Sequence, residues 1–146
     1  MNRKEFVKTC GAGCIGLIVG PAILQGCAGT KYITAPIVES DLVVPLTSFE
    51  LVKENTTQFR KYIVVQNDSL EFPICVYRSD PSTFHALWMK CTHQGTELQV
   101  FGDKLQCPAH GSEFTNTGMV QNGPAADPLR TFPVTVEENA LKITLR

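Results

Sequence analysis

Cys91-Thr-His-Gln-Gly95 and Cys107-Pro-Ala-His-Gly-Ser112 decide how this chain is read. Each stretch supplies one cysteine and one histidine, and thirteen residues separate His93 from Cys107. Together Cys91, His93, Cys107 and His110 offer two soft thiolates and two neutral imidazoles, placed so that two loops could close on one metal centre. Such a donor set suits either an iron–sulfur centre or a Cys2His2 zinc site. Zinc fingers usually pair cysteine with cysteine and histidine with histidine in separate halves, often with one half on a helix. Here each half carries one of each, in a glycine-bearing turn between strand-like runs.

The non-ligand residues sharpen the choice. The two loops resemble those of the Rieske iron–sulfur family, which read C-T-H-x-G and C-P-x-H-G-S. The likeness is good over residues 84–132 and loose in the flanking strands. It implies one [2Fe–2S] cluster, with Cys91 and Cys107 on one iron and His93 and His110 on the other. Around it the resemblance places Gly95 and Gly111, where the loops must turn sharply, Ser112 as a donor to a bridging sulfide, and Pro124 in a Gly123-Pro-Ala125 loop covering one side.

Two departures from the family bear on stability and potential. In Rieske proteins of quinol-oxidising complexes each loop usually carries an extra cysteine, and the two form a disulfide. Thr96 and Ala109 stand there, so nothing staples the loops covalently, as in soluble Rieske ferredoxins and oxygenase Rieske domains. High-potential members also have a tyrosine two residues beyond the serine. Here that residue is Phe114, so one of two potential-raising donors is missing. A potential in the middle of the roughly −150 to +300 mV Rieske range is expected.

The amino terminus reads as an address. Residues 1–26 combine a basic head (Arg3, Lys4, Lys8), a short apolar stretch and Leu24-Gln-Gly-Cys27, which resembles a bacterial lipobox. Asn2-Arg-Lys-Glu-Phe-Val-Lys8 resembles the twin-arginine export motif. That route would suit a protein that must cross a membrane already folded around its cluster. Cys27 would carry the lipid, since several chains on one residue give stable anchoring. The apolar stretch, interrupted by glycines and Pro21, is short of the ~20 residues a membrane span needs. The expected location is the bacterial cell envelope: periplasmic, on the outer face of the cytoplasmic membrane or on the outer membrane.

Residues 27–41 read as a tether and 42–146 as one Rieske domain, with a cluster-binding subdomain at about 88–127. β-branched and aromatic runs alternate with turn residues throughout, which predicts an all-β antiparallel barrel or sandwich. Predicted strands include Leu42–Pro45, Thr47–Leu51, Tyr62–Gln66, Ile74–Tyr77, Phe84–Met89, Leu98–Phe101, Leu105–Gln106, Glu113–Thr115, Leu129–Glu137 and Leu141–Leu145. Gly102-Asp103 and Glu138-Asn139 are hairpin signals.

Composition narrows function further. Without residues 1–26 the chain has ten basic and thirteen acidic residues, a net charge of −3 and no footprint for nucleic acid. Six cysteines do not make a disulfide framework. Cys10 and Cys14 leave with the signal, Cys27 takes lipid, Cys91 and Cys107 are candidate ligands, and Cys75 remains as a small apolar core residue. His85, in a strand-like run, belongs to neither loop. The implied role is one-electron transfer to or from a redox protein or a quinol, with no substrate-turnover site of its own. A stand-alone carrier and a subunit of a larger oxidoreductase complex both fit.

Overall fold

The computed structural model describes residues 29–53 and 56–146. In chain order it holds β1 (Tyr32–Thr34), β2 (Ile37–Val38), β3 (Asp41–Pro45), a 3-10 turn (Leu46–Phe49), β4 (Glu50–Lys53), β5 (Thr56–Phe59), β6 (Tyr62–Gln66) and β7 (Ile74–Arg78). There follow β8 (Phe84–Trp88), β9 (Gln99–Phe101), β10 (Lys104–Gln106), β11 (Glu113–Thr115), β12 (Val120–Asn122), β13 (Thr131–Phe132), β14 (Val134–Glu137) and β15 (Ala140–Thr144). The predicted all-β class is what forms. No helix among the described residues is long and apolar enough to cross a membrane.

Three sheets and a hairpin carry the molecule. The central sheet runs β1-β6-β7-β8-β13, a second runs β14-β15-β3-β2, a third runs β12-β11-β10-β9, and β4 pairs with β5. The central strands are apolar on both faces because both faces are covered. Ile63, Val65, Ile74, Val76 and Ala86 join Leu42, Val44, Leu141 and Ile143 of the second sheet in one core. The alternate residues Val64, Cys75, Tyr77 and Leu87 turn the other way, into a second core with Leu98, Leu105 and Phe114 of the loop-bearing side. Alternation with period two lets one strand feed two cores, and Cys91 and Cys107 belong to the second. Cys75 is fully buried there and serves as the small apolar residue expected of it.

Several expectations are corrected. Within the expected 27–41 tether, the described residues 29–41 are not free along their length. β1 pairs in parallel with β6, Tyr32 opposite Val64, and β2 pairs with β3. Ala35 is 2% exposed, and its carbonyl accepts a hydrogen bond from Asn67 Nδ2 at 2.9 Å. The apolar positions Ile33, Ala35 and Ile37 explain why the segment docks. The predicted strand Thr47–Leu51 begins instead as the 3-10 turn, which drives Phe49 into the first core. The predicted strand Leu129–Glu137 is broken at Pro133, which has no amide to donate; β13 before it joins the central sheet and β14 after it joins the second. Two short strands, β5 and β12, carried no strong pattern and were not expected.

The hairpin turns fall where the sequence signals them. Gly102, between β9 and β10, has φ +63°, and Glu138, between β14 and β15, has φ +51°. The expected signal and Cys27 lie outside the described residues.

Because Ala35 sits in the core, Ala35→Glu is expected to cost ~3 kcal/mol or more, as an unpaired buried charge does. Urea unfolding measures this. A loose tether would instead tolerate the change within about 0.5 kcal/mol.

Candidate metal centre

The two loops are built on one plan. Cys91 N–H donates to the Thr96 carbonyl at 2.9 Å, and Gly95 N–H returns to the Cys91 carbonyl at 2.8 Å. Cys107 N–H donates to the Ser112 carbonyl at 2.8 Å, and Gly111 N–H returns to the Cys107 carbonyl at 3.0 Å. Gly95 and Gly111 occupy the left-handed region, at φ +73° and +75°, which glycine enters at least cost. Loop one leaves β8 through Met89 and Lys90; loop two joins β10 to β11. The shared core holds their bases together.

This closure aims amides at sulfur. The N–H groups of His93 and Gln94 point to Cys91 Sγ, and those of Ala109 and His110 to Cys107 Sγ. The thiols lie within hydrogen-bond contact of each other, each residue 2% exposed. Burial raises the Cys91 thiol, which its two amides offset only in part. Burial pushes Cys107 the same way, but the Ala109 amide, the Cys91 thiol, the His110 amide and the Thr96 hydroxyl together hold it below the ordinary thiol value. A pair of buried sulfurs with donors arranged around it suits thiolates that share a metal ion. Cys75, in contrast, is driven far upward by burial and stays a thiol.

The imidazoles form the complementary pair. His93 and His110 are exposed, with ring centroids 5.0 Å apart and planes at 88°. Sulfur is thus grouped with sulfur beneath the surface, and nitrogen with nitrogen at the surface. Among the described residues no three His, Cys, Asp or Glu side chains converge on a single point. Two pairs separated by depth fit a two-metal cluster better than one tetrahedral zinc ion. His85 lies half-buried on β8, paired with Tyr77 of β7 and away from both loops.

A third segment ties the loops together where no disulfide can. Thr92 Oγ1 donates to the Asp127 carbonyl at 2.7 Å. Ala125 N–H donates to the fully buried Ser112 Oγ at 3.1 Å. That leaves the serine proton unused among the described residues, available to a sulfide. A Cβ on Gly123 would stand 2.7 Å from the Ala125 carbonyl oxygen and 2.9 Å from its amide nitrogen. The tight bend at Gly123-Pro124-Ala125 therefore needs glycine. The sequence drew attention to Ser112, Phe114 and Pro124. It gave no signal for Thr92 or Asp127, whose bond runs through a main-chain carbonyl. Thr96 counted there only as an absent cysteine, whereas its hydroxyl reaches Cys107. Phe114 is fully buried opposite Leu105 and closes the apolar floor below the thiols.

A cleft of about 600 Å³ opens beside His93, lined by Trp88, Lys90, Thr92, Pro128 and Arg130. Lys90 Nζ lies 5.0 Å and Arg130 Cζ 5.7 Å from the centre of the Trp88 ring. Lys90 also pairs with Glu71 at 3.1 Å. The cleft gives a partner a shaped approach to one histidine edge.

Residues 48–133 match the model of the family described as Rieske [2Fe-2S] domain. The chain belongs to this family. Its cofactor is therefore one [2Fe–2S] cluster. The cytochrome b6-f complex iron-sulfur subunit 2 of Trichormus variabilis is 25% identical over 111 residues, covering 75% of this chain and 56% of that protein. The cytochrome b6-f complex iron-sulfur subunit of Chlorobaculum tepidum is 30% identical over 57 residues, 38% of this chain and 32% of its own length. Apoptosis-inducing factor 3 of Mus musculus is 37% identical over 71 residues, 46% of this chain and 11% of that protein. The chain spans between a tenth and three fifths of the length of these curated relatives. Among solved structures, the plasma membrane Rieske protein PetC3 of Synechocystis PCC 6803 superposes with TM-score 0.51 at 28% identity, over 57% of this chain and 86% of that one. A chain from the oxygenase–ferredoxin complex of carbazole 1,9a-dioxygenase superposes with TM-score 0.53 at 27% identity, over 74% and 95%. The cytochrome b6-f subunits and PetC3 are homologues involved in electron transfer.

Gly123→Ala is expected to shorten the time the protein keeps its cluster at 50 °C several-fold, followed by visible absorbance. Thr92→Val, losing one hydrogen bond worth about 1 kcal/mol, should have a smaller effect in the same direction.

Proposed function

We propose that this protein is a one-electron carrier of the bacterial cell envelope, exported and held to a membrane by lipid on Cys27. The observation that carries the redox part is the division of donors by depth. Cys91 and Cys107 would hold one iron below the surface, and His93 and His110 would hold the other with ring edges in reach of a partner. When bound, the cluster supplies one reversible electron at a single site. The chain's own residues set the conditions. Four amides and the Thr96 hydroxyl stabilise negative charge on the two sulfurs, and the Ser112 hydroxyl would be free to donate a hydrogen bond to the cluster. Phe114 and the core behind it exclude water from the buried side.

A second reading is supported by the likeness to cytochrome b6-f iron-sulfur subunits. On it, the chain is the iron–sulfur subunit of a quinol–cytochrome or periplasmic oxidoreductase complex. The absence of cysteine at Thr96 and Ala109 and the phenylalanine at 114 favour the carrier.

An EPR-monitored redox titration of the full chain, loaded with iron, tests the redox reading. A mixed His/Cys cluster signal with a one-electron midpoint is expected; zinc without an EPR signal would overturn it. Ser112→Ala should lower the midpoint and Phe114→Tyr raise it, each by roughly 65–130 mV. A hydrogen bond to a charged group is worth about 1.5–3 kcal/mol, and ~59 mV is tenfold for one electron.

A further inference from the structure

The described fold begins at Gly29, and Gly29 lines a groove of about 230 Å³ with Leu51, Phe59, Arg60, Lys61 and Gly102. A second groove of about 240 Å³ adjoins it across Phe59, Arg60 and Lys61 and adds Arg78. Arg60 Nε is buried with no hydrogen-bond partner. Among the described residues none of Arg60, Lys61 and Arg78 forms an ion pair. The Arg78 guanidinium lies 4.1 Å over the Phe59 ring. Asp80 also lines the second groove, but its carboxylate accepts from the Ser82 and Thr83 amides, both at 2.9 Å. Among the described residues, Glu50, opposite Phe59, and Asp103, beyond Gly102, are the other acids nearby.

Apolar side chains surround these cations. Val52 is 77% exposed and Phe59 53% exposed, on one face of the β4–β5 hairpin by their register. Phe101, next to Gly102, is 52% exposed. Arg78 Nε also donates to the Asp80 carbonyl at 3.4 Å. Large apolar groups interleaved with cations that lack an ion-pair partner among the described residues are the composition of a surface that meets a lipid interface.

We propose that this face rests on the bilayer, with Arg60, Lys61 and Arg78 taking anionic lipid headgroups and Val52 and Phe59 entering the interface. The proposal rests on the lipid-anchor reading of Cys27. Cys27 precedes Gly29 by two positions, with Ala28 between them, so at ~3.5 Å per residue acyl chains on Cys27 hold this groove within about 7 Å of the headgroups. The docking of β1 onto β6 removes the slack that a fifteen-residue tether would have given.

The orientation has a functional consequence. Arg78 pairs with Phe84 at one end of the central sheet, and the chain then runs through β8 to Cys91. At ~3.3 Å per residue that path covers roughly 20 Å. The third sheet agrees, because Gly102 turns at one end of the β9–β10 hairpin and Cys107 follows its other end. The histidine pair thus points away from the lipid. Electrons would pass to a partner approaching from the aqueous side, and a quinol dissolved in the same bilayer would not reach the ring edges.

Lipid quenching tests this on the lipidated full chain in phosphatidylglycerol–phosphatidylethanolamine vesicles with brominated acyl chains. Trp88 is the chain's one tryptophan and lies at the histidine end. Its emission should be the same with and without bromine. The emission added by Phe59→Trp should be quenched at least twofold, and less so when Arg60→Glu and Lys61→Glu are added. A protein that floats with the vesicles but leaves the new tryptophan unquenched, or quenches Trp88 instead, overturns the orientation alone. A full chain that fails to float, with Cys27→Ser making no difference, overturns the anchor reading as well.

Discussion

Burying two thiols side by side is unfavourable for the charged form unless something stabilises negative charge on sulfur. Cys91 and Cys107 solve this with the same local device used twice. A six-residue loop closes on itself through a glycine in the left-handed region and points two amides at its own cysteine. The remaining architecture presses those two loops together. The central sheet supplies the apolar wall, the third sheet carries loop two, and the Gly123–Asp127 segment bonds to both loops.

The same arrangement explains how the centre can be stable and reachable at once. Sulfur is on the core side, where Phe114, Leu105 and Leu98 exclude water, and imidazole is on the solvent side. An all-thiolate site at this depth would bury more charge. On the proposed ligation the two histidines would lessen that charge and leave an edge for electron exchange. Two hydrogen bonds and one sterically constrained glycine stand where relatives of the disulfide-bearing kind have a covalent staple. Loop-to-loop stability here therefore depends on main-chain geometry at Gly123 and on the hydroxyls of Thr92 and Ser112.

Much of this was legible in the sequence, for physical reasons. The ligand spacing, the glycines and Ser112 are dictated by local loop chemistry, so a short window holds them. Tyr62–Gln66 and Glu113–Thr115 were predicted with the bounds they have, because their patterns are decided by burial on fixed faces. The readings that failed needed distant partners. Tyr32–Thr34 is a strand only because β6 offers it an edge. Phe49 ends in a 3-10 turn because the first core takes its ring. The Thr92–Asp127 bond joins residues thirty-five apart through a carbonyl, which no residue type announces.

On the proposed assignment the histidine nitrogens share one iron and the cysteine sulfurs the other. Pulsed EPR on the reduced full-length protein, labelled with ¹⁵N-histidine, addresses this directly. Two distinct strongly coupled histidine nitrogens are expected, with one lost and the second retained in a His110→Cys variant that still holds its cluster. A reduced cluster signal with no strongly coupled histidine nitrogen would contradict the account.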